Sequence, residues 1–429
     1  MSEPTLRTDQ PVRFNADAAS PQPLGERARI GSLDVLRGAA LLGILVMNIQ
    51  AFSMPGAAYM NPTAYGNLEG ANWLVWLAGH LFFDQKMMSI FTMLFGAGIL
   101  IFAGKGGDPA RARSLHHRRM LWLLLFGIVH AHIFWYGDIL FSYAVVGLLA
   151  YRFRDRAPAE LIRKGIIFIC VAPIIGIVIG LSMNFWPPEG VRSFSDNSWA
   201  PTDSVLAKEL NGYRGGWIDQ VPVRSTTALL FQTIALLIFV GWRVWGLMLI
   251  GMALLKLGIL DGSRPPRFYA RMAALGFGIG LPVVALGVWL HTATGWNARY
   301  SMFLISQLNY FASIAVAFGW IGLVMAAYTK HAVGWLTTRL AAVGRMAFTN
   351  YIVQTIICTT IFYGHGFGRY GLVERVGQIA IVVAIWIAQL VISPMWLRHF
   401  QYGPLEWLWR SLTYRSWQPL ARTTPLAVT

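Results

Sequence analysis

Apolar residues gather in long stretches along this chain, and short polar segments that carry most of the charge separate them. A helix rises 1.5 Å per residue, so about 20 mostly apolar residues cross the hydrocarbon core of a bilayer. The pattern predicts an all-α protein, a polytopic integral membrane helical bundle with about ten transmembrane helices. The predicted crossings are 33–52, 87–102, 120–136, 139–151, 165–186, 244–260, 272–291, 303–328, 347–363 and 376–397.

Residues 72–103 form an apolar stretch that is too long for one upright crossing. Its polar interruption at 84–86, with the sequence Asp-Gln-Lys, predicts a break near the headgroups. We expect residues 73–83 to lie along or dip into the outer boundary of the membrane. The inward crossing then begins at Met87.

Residues 225–260 suit either one crossing or two by their length. The arginines that follow, from Arg264 to Arg271, mark the cytoplasmic side and require an odd number of crossings here. We therefore expect one crossing at 244–260, preceded by a partly inserted helix at 227–240.

The distribution of positive charge predicts the topology. Loops on one side of the predicted bundle hold 24 Lys and Arg residues, against seven on the other side. The positive-inside rule then puts both termini in the cytoplasm. A net charge of +16 also raises the question of nucleic acid, but the basic residues lie in short clusters instead of forming one basic face. A chain with 56% hydrophobic and 13% charged residues is not typical of a soluble globular protein.

Composition divides the chain into five parts. We expect a disordered cytoplasmic N-terminal tail at 1–28, a transmembrane half at 29–186, an extracytoplasmic loop at 187–224, a second transmembrane half at 225–400 and a cytoplasmic tail at 401–429. The long loop is rich in Pro, Ser, Asp and Gly, and we predict partial order there at most. Three tryptophans in the last part predict an interfacial anchor.

The first predicted helix carries three polar residues with a regular spacing. Asp34 and Arg37 lie one turn apart, and Asn48 follows Arg37 by eleven positions, so Arg37 and Asn48 share a face at opposite depths. In one interpretation Asp34 offsets the helix dipole, Arg37 reaches anionic headgroups and Asn48 joins helices. In the other, Asp34 and Arg37 form a cofactor site at the cytoplasmic mouth, where the guanidinium of Arg37 holds a phosphate or carboxylate.

On the predicted topology, Asn48, His80, His130, His132 and Asp138 all fall in the outer third of the membrane. His130 can exchange protons near neutral pH, and Asp138 could orient it as a general base, which is the arrangement of acyl-transfer sites. The alternative is a hydrogen-bonded histidine with a structural role. A zinc site built from the three histidines lacks a recognised ligand spacing, so we expect no metal.

Asn350 and Gln354 form an i, i+4 polar pair on the ninth predicted crossing, and Cys358 continues that face. The pair serves either helix packing or a polar path for the arm of a cofactor. Cys170 and Cys358 both lie in apolar runs, which is typical of small buried side chains. Motifs of nucleotide-binding proteins and soluble hydrolases do not occur in a suitable context.

Five blocks of the sequence resemble the YeiB-like membrane proteins, a family with a C-terminal domain of unknown function (DUF418). The blocks are RIGSLDVLRGAALLGILVMNI at 29–49, KMMSIFTMLFGAG at 86–98, GIVHAHIFWYGDILFSYAVVG at 127–147, GRMAFTNYIVQTIICTTIFYG at 344–364 and GPLEWLWRSLTY at 403–414. The resemblance spans nearly the whole chain. It implies a multi-pass protein of the bacterial cytoplasmic, or inner, membrane.

The opening LDVLRG, followed by an amide eleven residues after the arginine, is more distantly similar to the first helix of the transmembrane acyltransferase superfamily. That superfamily includes O-acetyltransferases of bacterial surface sugars and the lysosomal heparan glucosaminide N-acetyltransferase. In the first group a histidine stands in the place of Asn48, and in the second the catalytic histidine stands in the place of Tyr59. The similarity implies an acyl-CoA that enters near Arg37, with His80 or His130 replacing the missing histidine.

These observations leave three hypotheses. The first is an acyltransferase that carries an acyl group from acyl-CoA to an extracytoplasmic hydroxyl or amine, with His130, Asp138 and Asn48 as catalytic residues. The second is a transporter or flippase of a small solute or lipid-linked intermediate, because broken helices build such sites. The third is a membrane scaffold without chemistry. The expected partners are the lipid bilayer and a small-molecule or glycan acceptor, without nucleic acid, and the oligomeric state stays open, with a homodimer as one alternative.

Overall fold

The computed structural model describes residues 30–104 and 108–422, so the predicted disordered tail at 1–28 lies outside the described residues. Within those ranges the regular structure is helical, apart from one bridge between Phe400 and Ala421. The α-helices are α1 (Gly31–Ser53), α2 (Ala57–Met60), α3 (Gly70–Phe82), α4 (Lys86–Ala103), α5 (Pro109–Val129), α6 (Leu140–Ala150), α7 (Pro158–Ser182), α8 (Pro188–Phe194), α9 (Asp203–Arg214), α10 (Val221–Leu230), α11 (Gly241–Lys256), α12 (Pro266–Ala293), α13 (Ala298–Tyr300), α14 (Ser306–Thr329), α15 (Gly334–Arg345), α16 (Ala347–Phe362), α17 (Arg375–His399) and α18 (Pro404–Tyr414). The π-helical segments are His130–Phe134, Ser195–Trp199, Phe231–Val240 and Ser301–Ile305, and the 3-10 turns are Tyr151–Phe153 and Met183–Phe185.

Seven helical segments of the described ranges are long and apolar enough to cross a bilayer, judged by length and composition. They are Gly31–Ser53, Gly70–Ala103, Pro158–Phe185, Val221–Lys256, Pro266–Ala293, Ala298–Thr329 and Arg375–His399. Two shorter apolar helices, Leu140–Phe153 and Ala347–Phe362, accompany them. The all-α fold is confirmed for the described residues, and the seven segments suit a multi-pass membrane protein. The number of crossings and the side on which the termini lie remain predictions.

Helix α1 lies at the centre of the bundle. It contacts α4, α14, α15, α16 and α17, which come from both predicted transmembrane halves. Leu36 and Leu45 of α1 are each 1% exposed as a result. Because neighbouring helices cover most of its surface, the half-buried Asp34, Arg37 and Asn48 face space inside the protein.

The predicted break in the second apolar stretch is present. Helix α3 ends at Phe82 and α4 begins at Lys86, after Gln85, which has a left-handed φ of 61°. Such a conformation is costly for a residue with a side chain and persists where its surroundings fix it. Here Asn309 donates to Asp84 at 2.8 Å and accepts from Lys86 at 2.6 Å, so α14 holds both sides of the break.

Residues Val221–Lys256 form one continuous helical segment. This agrees with a single crossing, and residues 227–240 are helical as predicted, but they continue directly into the crossing. Whether they are partly inserted remains a prediction. Helical hydrogen bonding continues from α10 through the π-helical stretch Phe231–Val240 into α11. The segment ends at Lys256, four residues before the predicted end of the crossing.

The prediction of partial order at most for residues 187–224 is wrong. This region folds into α8, a π-helical turn, α9 and the start of α10. Trp199 and Tyr213 are 3% and 1% exposed, and the Asn61 side chain donates to the Trp199 carbonyl at 2.9 Å. A few buried aromatic side chains therefore provide the apolar contact that the polar composition of the segment concealed.

The C-terminal helix α18 packs into the bundle, so the predicted interfacial anchor also forms part of its wall. Glu406 accepts hydrogen bonds from the backbone N–H groups of Phe348 and Thr349 at 2.6 and 3.1 Å, and thereby caps the start of α16. The indole N–H of Trp409 donates to the Arg119 carbonyl of α5 at 2.9 Å. These contacts place the aromatic face of α18 at the end of the bundle where α1 begins.

Candidate functional site

A cavity of about 1110 Å³, which we call the central cavity, runs alongside α1. Ile30 and one face of α1 line it from end to end, and the α1 residues are Leu33, Asp34, Arg37, Leu41, Ile44, Met47, Asn48 and Ala51. At 1.5 Å per residue this face is about 30 Å long, which matches the thickness of a hydrocarbon core. The cavity therefore extends through most of the depth of the bundle.

The middle of the central cavity is mostly apolar. Helix α4 contributes one helical stripe, and α6 and α16 contribute aromatic side chains. The lining residues in this part include Met87, Phe91, Leu94, Phe95, Tyr143, Phe348 and Tyr351. Walls of this kind suit an acyl chain or the uncharged arm of a longer ligand, with specificity left to the polar groups at the ends.

One end of the central cavity, which we call the arginine end, is lined by Arg37, Arg119, Arg345 and Arg410. The carboxylates that line it there are Asp34 and Glu406, and both are engaged within the protein. Asp34 accepts from Nη1 of Arg37 at 2.7 Å, and Glu406 caps α16. Burial raises the pKa of Glu406, although its hydrogen bonds with Thr349 and Phe348 act in the opposite direction. The arginine end is thus suited to an anionic group such as a phosphate.

Aromatic rings hold two of these arginines. The guanidinium of Arg119 lies 4.5 Å from the ring centroid of Trp409 and 4.9 Å from that of Phe102. The guanidinium of Arg410 lies 4.4 Å from the ring centroid of Tyr402. A guanidinium over an aromatic face keeps N–H groups at its edge for in-plane hydrogen bonds, so both side chains are preorganised to contact an anion.

The opposite end, which we call the far end, is polar and lies under the ordered segment 188–214. Its lining residues include Asn48, Tyr59, Asn197, Ser198, Lys208 and Glu209. Glu209 fastens this segment to the bundle, because Oε1 accepts from the Gly56 N–H at 2.9 Å and from the Tyr370 hydroxyl at 3.0 Å. Burial raises the pKa of Glu209, and these two hydrogen bonds partly offset that rise.

Arg37 and Asn48 line the same wall, about 16 Å apart along the axis of α1. Both residues therefore lie on one face of α1, as their spacing of eleven positions in the sequence indicates. Among the residues that the structure describes, no hydrogen-bond partner is found for the Asn48 side chain. Its amide is therefore open to a ligand in the central cavity.

His130 and Asp138 are in contact, with Nδ1 of His130 2.9 Å from Oδ1 of Asp138. The second ring nitrogen, Nε2, lies 3.0 Å from the hydroxyl of Thr355, and the His130 side chain is 1% exposed. Asp138 lines the central cavity and accepts from the Phe141 N–H at 2.8 Å, whereas His130 lies behind it. Both ring nitrogens are thus used inside the protein, which is the geometry of a histidine that positions its neighbours.

Asn350 and Gln354 are directed toward α17 and away from the central cavity. Asn350 donates to the hydroxyl of Ser393 at 3.0 Å, and Gln354 donates to the side-chain oxygen of Gln389 at 2.9 Å. Gln389 in turn donates to the Asn350 carbonyl at 3.0 Å. This ladder of amides corresponds to the packing interpretation of the pair, and it does not bring either residue to the arginine end.

The three histidines considered for zinc have separate partners. His80 pairs with Asp84 at 3.2 Å, His130 pairs with Asp138, and His132 Nε2 lies 3.2 Å from the side-chain oxygen of Gln232. In the described parts of the chain, no group of three or more His, Cys, Asp and Glu side chains is arranged to hold a metal ion.

Sequence reasoning missed Arg119, Arg345, Arg410 and Glu209 as residues of the cavity. Their charges indicate loops and topology, and a linear pattern does not distinguish an arginine at a membrane surface from one turned inward. The dense aromatic residues of α18, which include the partner of Arg119, were the one available signal. Rings beside an arginine favour a fixed guanidinium over a solvated one.

Comparison with known proteins connects this fold to a family. The sequence profile of a protein of unknown function, DUF418, matches residues 254–416. The chain is 34% identical over 399 residues to the uncharacterized protein YeiB of Escherichia coli (strain K12), covering 92% of this chain and 98% of that protein. It is 32% identical over 428 residues to the uncharacterized protein YxaH of Bacillus subtilis (strain 168), covering 95% of this chain and 99% of that one. These names do not mention acyl transfer.

Proposed function

We propose that this chain, which belongs to the YeiB-like, DUF418 family, moves an acyl group from a cytoplasmic coenzyme A thioester to an extracytoplasmic hydroxyl or amine. The observation that carries this proposal is the central cavity itself, which joins four arginines at one end to a polar far end. A thioester donor has the same order of parts, with phosphates first, an uncharged arm next and the reacting carbonyl last.

The orientation follows from charge. Arg37, Arg119, Arg345 and Arg410 belong to the side that holds most of the Lys and Arg residues, so the positive-inside rule assigns the arginine end to the cytoplasm. The far end, under the segment 188–214, then faces the cell exterior or periplasm. This assignment supports a bacterial cytoplasmic membrane protein with both termini inside.

The donor is held at the arginine end. Arg37 uses Nη1 for Asp34, which fixes the direction of its guanidinium, and Arg119 and Arg410 line the same end of the cavity. Charge-assisted hydrogen bonds to phosphate are stronger than neutral ones and geometrically specific when an arginine makes them. The apolar middle of the cavity then takes the uncharged arm of the donor and excludes water from it.

The reaction occurs near Asn48. Its unpartnered amide is a donor for the oxygen of the thioester carbonyl, which becomes negative when the acceptor adds to the carbon. Asp138 and His130 fix this part of the wall from behind. The bonds of both His130 nitrogens favour a positioning role for this histidine over that of the base.

Calorimetric titration of acetyl-CoA into the purified full chain in lipid nanodiscs tests the donor site. We expect the parent to bind, and Arg37→Ala to bind about tenfold or more weakly, because a charge-assisted hydrogen bond contributes about 1.5–3 kcal/mol. Arg398→Ala is the matched control, since Arg398 is exposed at the same end of the bundle but does not line the cavity. The absence of binding heat between acetyl-CoA and the parent protein would contradict the proposal.

A second candidate is a transporter or flippase of a small solute or lipid-linked intermediate. The broken helix pair α3 and α4 beside a cavity that spans the bundle favours it, because transporters build their sites in this way. The two functions differ in access, since a transporter opens alternately to each side and a transferase keeps one tunnel. Cysteines placed at Ser198, at the far end, and at Thr413, at the arginine end, distinguish the two functions. In a transporter, ligand should raise the labelling of one cysteine and lower that of the other, whereas in a transferase it should not.

A further inference from the structure

A network of buried ionisable groups lies beside the far end of the central cavity. Lys86 is 0% exposed, Arg243 is 5% exposed and Asp84 is 7% exposed. Ionisable side chains inside a membrane bundle are costly, and a function is the default hypothesis for them. The acyl-transfer scheme above uses none of the three.

One oxygen of the Asp84 carboxylate is fully engaged. Oδ2 of Asp84 lies 3.2 Å from Nδ1 of His80 and accepts from Nδ2 of Asn309 at 2.8 Å. Nζ of Lys86 donates to Oδ1 of Asn309 at 2.6 Å and to the His80 carbonyl at 2.7 Å. The guanidinium of Arg243 bonds to the Ser89 and Ser313 hydroxyls at 3.0 and 2.8 Å. His80 and Asn309 thus hold one side of the carboxylate at the break between α3 and α4.

The other oxygen of Asp84 is not engaged in this way. Oδ1 is buried and has no hydrogen-bond partner among the described residues. The phenol of Tyr59 lies beside this carboxylate and lines the far end of the central cavity. Burial raises the pKa of Tyr59, and the neighbouring charge of Asp84 raises it further, so the phenol keeps its proton at neutral pH. Tyr59 is thus a hydroxyl that can accept one proton while it gives another to Asp84.

His80 continues the path toward the surface of the protein. Its side chain is 16% exposed, and its ring stacks on Trp76 with centroids 5.1 Å apart. Trp76 also meets Trp296, which lies in the turn between α12 and α13, at 5.7 Å. His80 therefore connects the buried Asp84 to the outer boundary, at the position of a proton exit.

We propose that Tyr59, Asp84 and His80 form a proton relay that takes the proton of the acceptor out of the far end of the central cavity. This inference rests on the acyl-transfer function proposed above, and it assigns the base that the bonded His130 leaves unassigned. Tyr59 is the catalytic residue of the relay, because it lines the cavity, and Asp84 and His80 act through it.

The acceptor oxygen or nitrogen bonds to the thioester carbonyl carbon, and the carbon–sulfur bond breaks. The proton of the acceptor passes to the Tyr59 oxygen while the proton of Tyr59 moves to Oδ1 of Asp84. The neutral carboxyl group then rotates to present its O–H to Nδ1 of His80, which lies 3.2 Å from the carboxylate, and the ring releases a proton to the exterior from Nε2. Coenzyme A leaves as a thiolate and takes up a proton from water on the cytoplasmic side.

Infrared pH titration of the full chain in nanodiscs tests the relay without turnover. We expect a carboxyl band that Asp84→Asn removes and whose titration midpoint shifts in Tyr59→Phe and in His80→Gln. The other ionisable groups packed around the relay are Lys86, Arg243, Tyr136 and His291, and they stay unchanged in all three variants. Tyr65→Phe is the matched control, because the Tyr65 hydroxyl donates to the Gly371 carbonyl at 2.8 Å, outside the relay. An Asp84 band that does not move in Tyr59→Phe overturns the proposal.

Release of free thiol from acetyl-CoA, with a panel of sugars and amines as acceptors, tests the catalytic use of the relay. Tyr59→Phe and Asp84→Asn should lower turnover by roughly 10²–10⁴-fold, the usual contribution of general base catalysis. Tyr59→Phe should also keep acetyl-CoA affinity and thermal stability near those of Tyr65→Phe. Equal turnover in the two tyrosine variants overturns the relay and leaves the donor site standing. A parent that binds no acetyl-CoA removes the acyl-transfer function and this catalytic role together.

Discussion

Asn48 and Arg37 define the chemistry of the central cavity at the level of single residues. Both lie on the lined face of α1, one near each end of the cavity, and they differ in what they can offer a ligand. Arg37 is partly committed to Asp34 and offers charge, whereas the Asn48 amide has no protein partner in the described ranges and offers a neutral N–H donor. A donor that stabilises developing charge at the reacting carbonyl affects the rate more than the affinity.

Asn48→Ala is expected to lower acyl transfer by about 10²–10³-fold, the usual cost of removing one oxyanion donor, and to leave acetyl-CoA affinity within about twofold. The measurement is thiol release under single-turnover conditions together with calorimetry. Asn184→Ala is the matched control, because Asn184 is exposed and outside the cavity. An equal loss of affinity and rate would mean that Asn48 binds the donor in its ground state.

His130→Ala is expected to lower the free energy of unfolding by about 1–3 kcal/mol, because it leaves Asp138 and the Thr355 hydroxyl without their partner in a buried position. Thermal unfolding in detergent measures the change, with His399→Ala as a control, because His399 is exposed and lies in the helix α17. If His130→Ala kept the stability of the parent protein but released no thiol from acetyl-CoA, the result would indicate that His130 is the general base.

Close glycine contacts set the distance between helices at the level of elements. A Cβ added at Gly251 of α11 would lie 1.8 Å from the Met93 carbonyl oxygen of α4, and one added at Gly96 of α4 would lie 2.0 Å from that of Met248. Small residues allow helix backbones to approach closely in membrane bundles. The contact between α4 and α11 keeps both helices close, and α4 in turn forms one wall of the central cavity.

Gly251→Val should therefore separate α4 from α11, lower the unfolding temperature by several degrees and weaken acetyl-CoA binding. Gly278→Val is the matched control, because a Cβ at Gly278 meets no atom within 4 Å. Thermal unfolding and calorimetry of the two variants make the comparison. Equal unfolding temperatures of Gly251→Val and Gly278→Val would show that α4 and α11 can move apart without a loss of stability.

The segment 188–214 and the bundle form one unit at the level of the whole molecule. Glu209 joins them through the Gly56 N–H and the Tyr370 hydroxyl, and Arg214 donates to the Tyr370 carbonyl at 2.8 Å. These contacts hold the segment, which contributes Asn197, Ser198, Lys208 and Glu209 to the lining, at the far end of the central cavity. In the proposed orientation, this end is the path of the acceptor.

The Glu209 contact should weaken as the pH rises through the pKa of Glu209 in the folded protein. Burial raises that pKa above its value in the unfolded chain, so between the two values the folded state binds more protons, and its stability falls as the pH increases. Hydrogen exchange of residues 203–214 between about pH 4.5 and 8 measures the change. Glu209→Gln keeps both acceptor contacts without the charge and should remove the pH dependence, whereas an unchanged profile in this variant would exclude Glu209 as the cause.

Much of the fold could be predicted from the sequence because the local composition of a segment determines whether it forms an apolar helix. The apolar stretches, the break at 84–86 and the shared face of Arg37 and Asn48 all depend on residues near one another in the chain, and the described structure contains each. The order of residues 187–214 could not be predicted, since it depends on where Trp199 and Tyr213 are buried.

The sequence by itself determined a helical membrane bundle and which residues of α1 share a face, because length, hydropathy and helical period are properties of a single segment. The tertiary structure alone decided which arginines meet Arg37, that His130 lies behind Asp138 and that Tyr59 stands beside Asp84. Arg37, Arg119, Arg345 and Arg410 come from α1, α5, α15 and α18. The physical reason is that helical periodicity states which side of each helix is polar, whereas packing decides what that side faces.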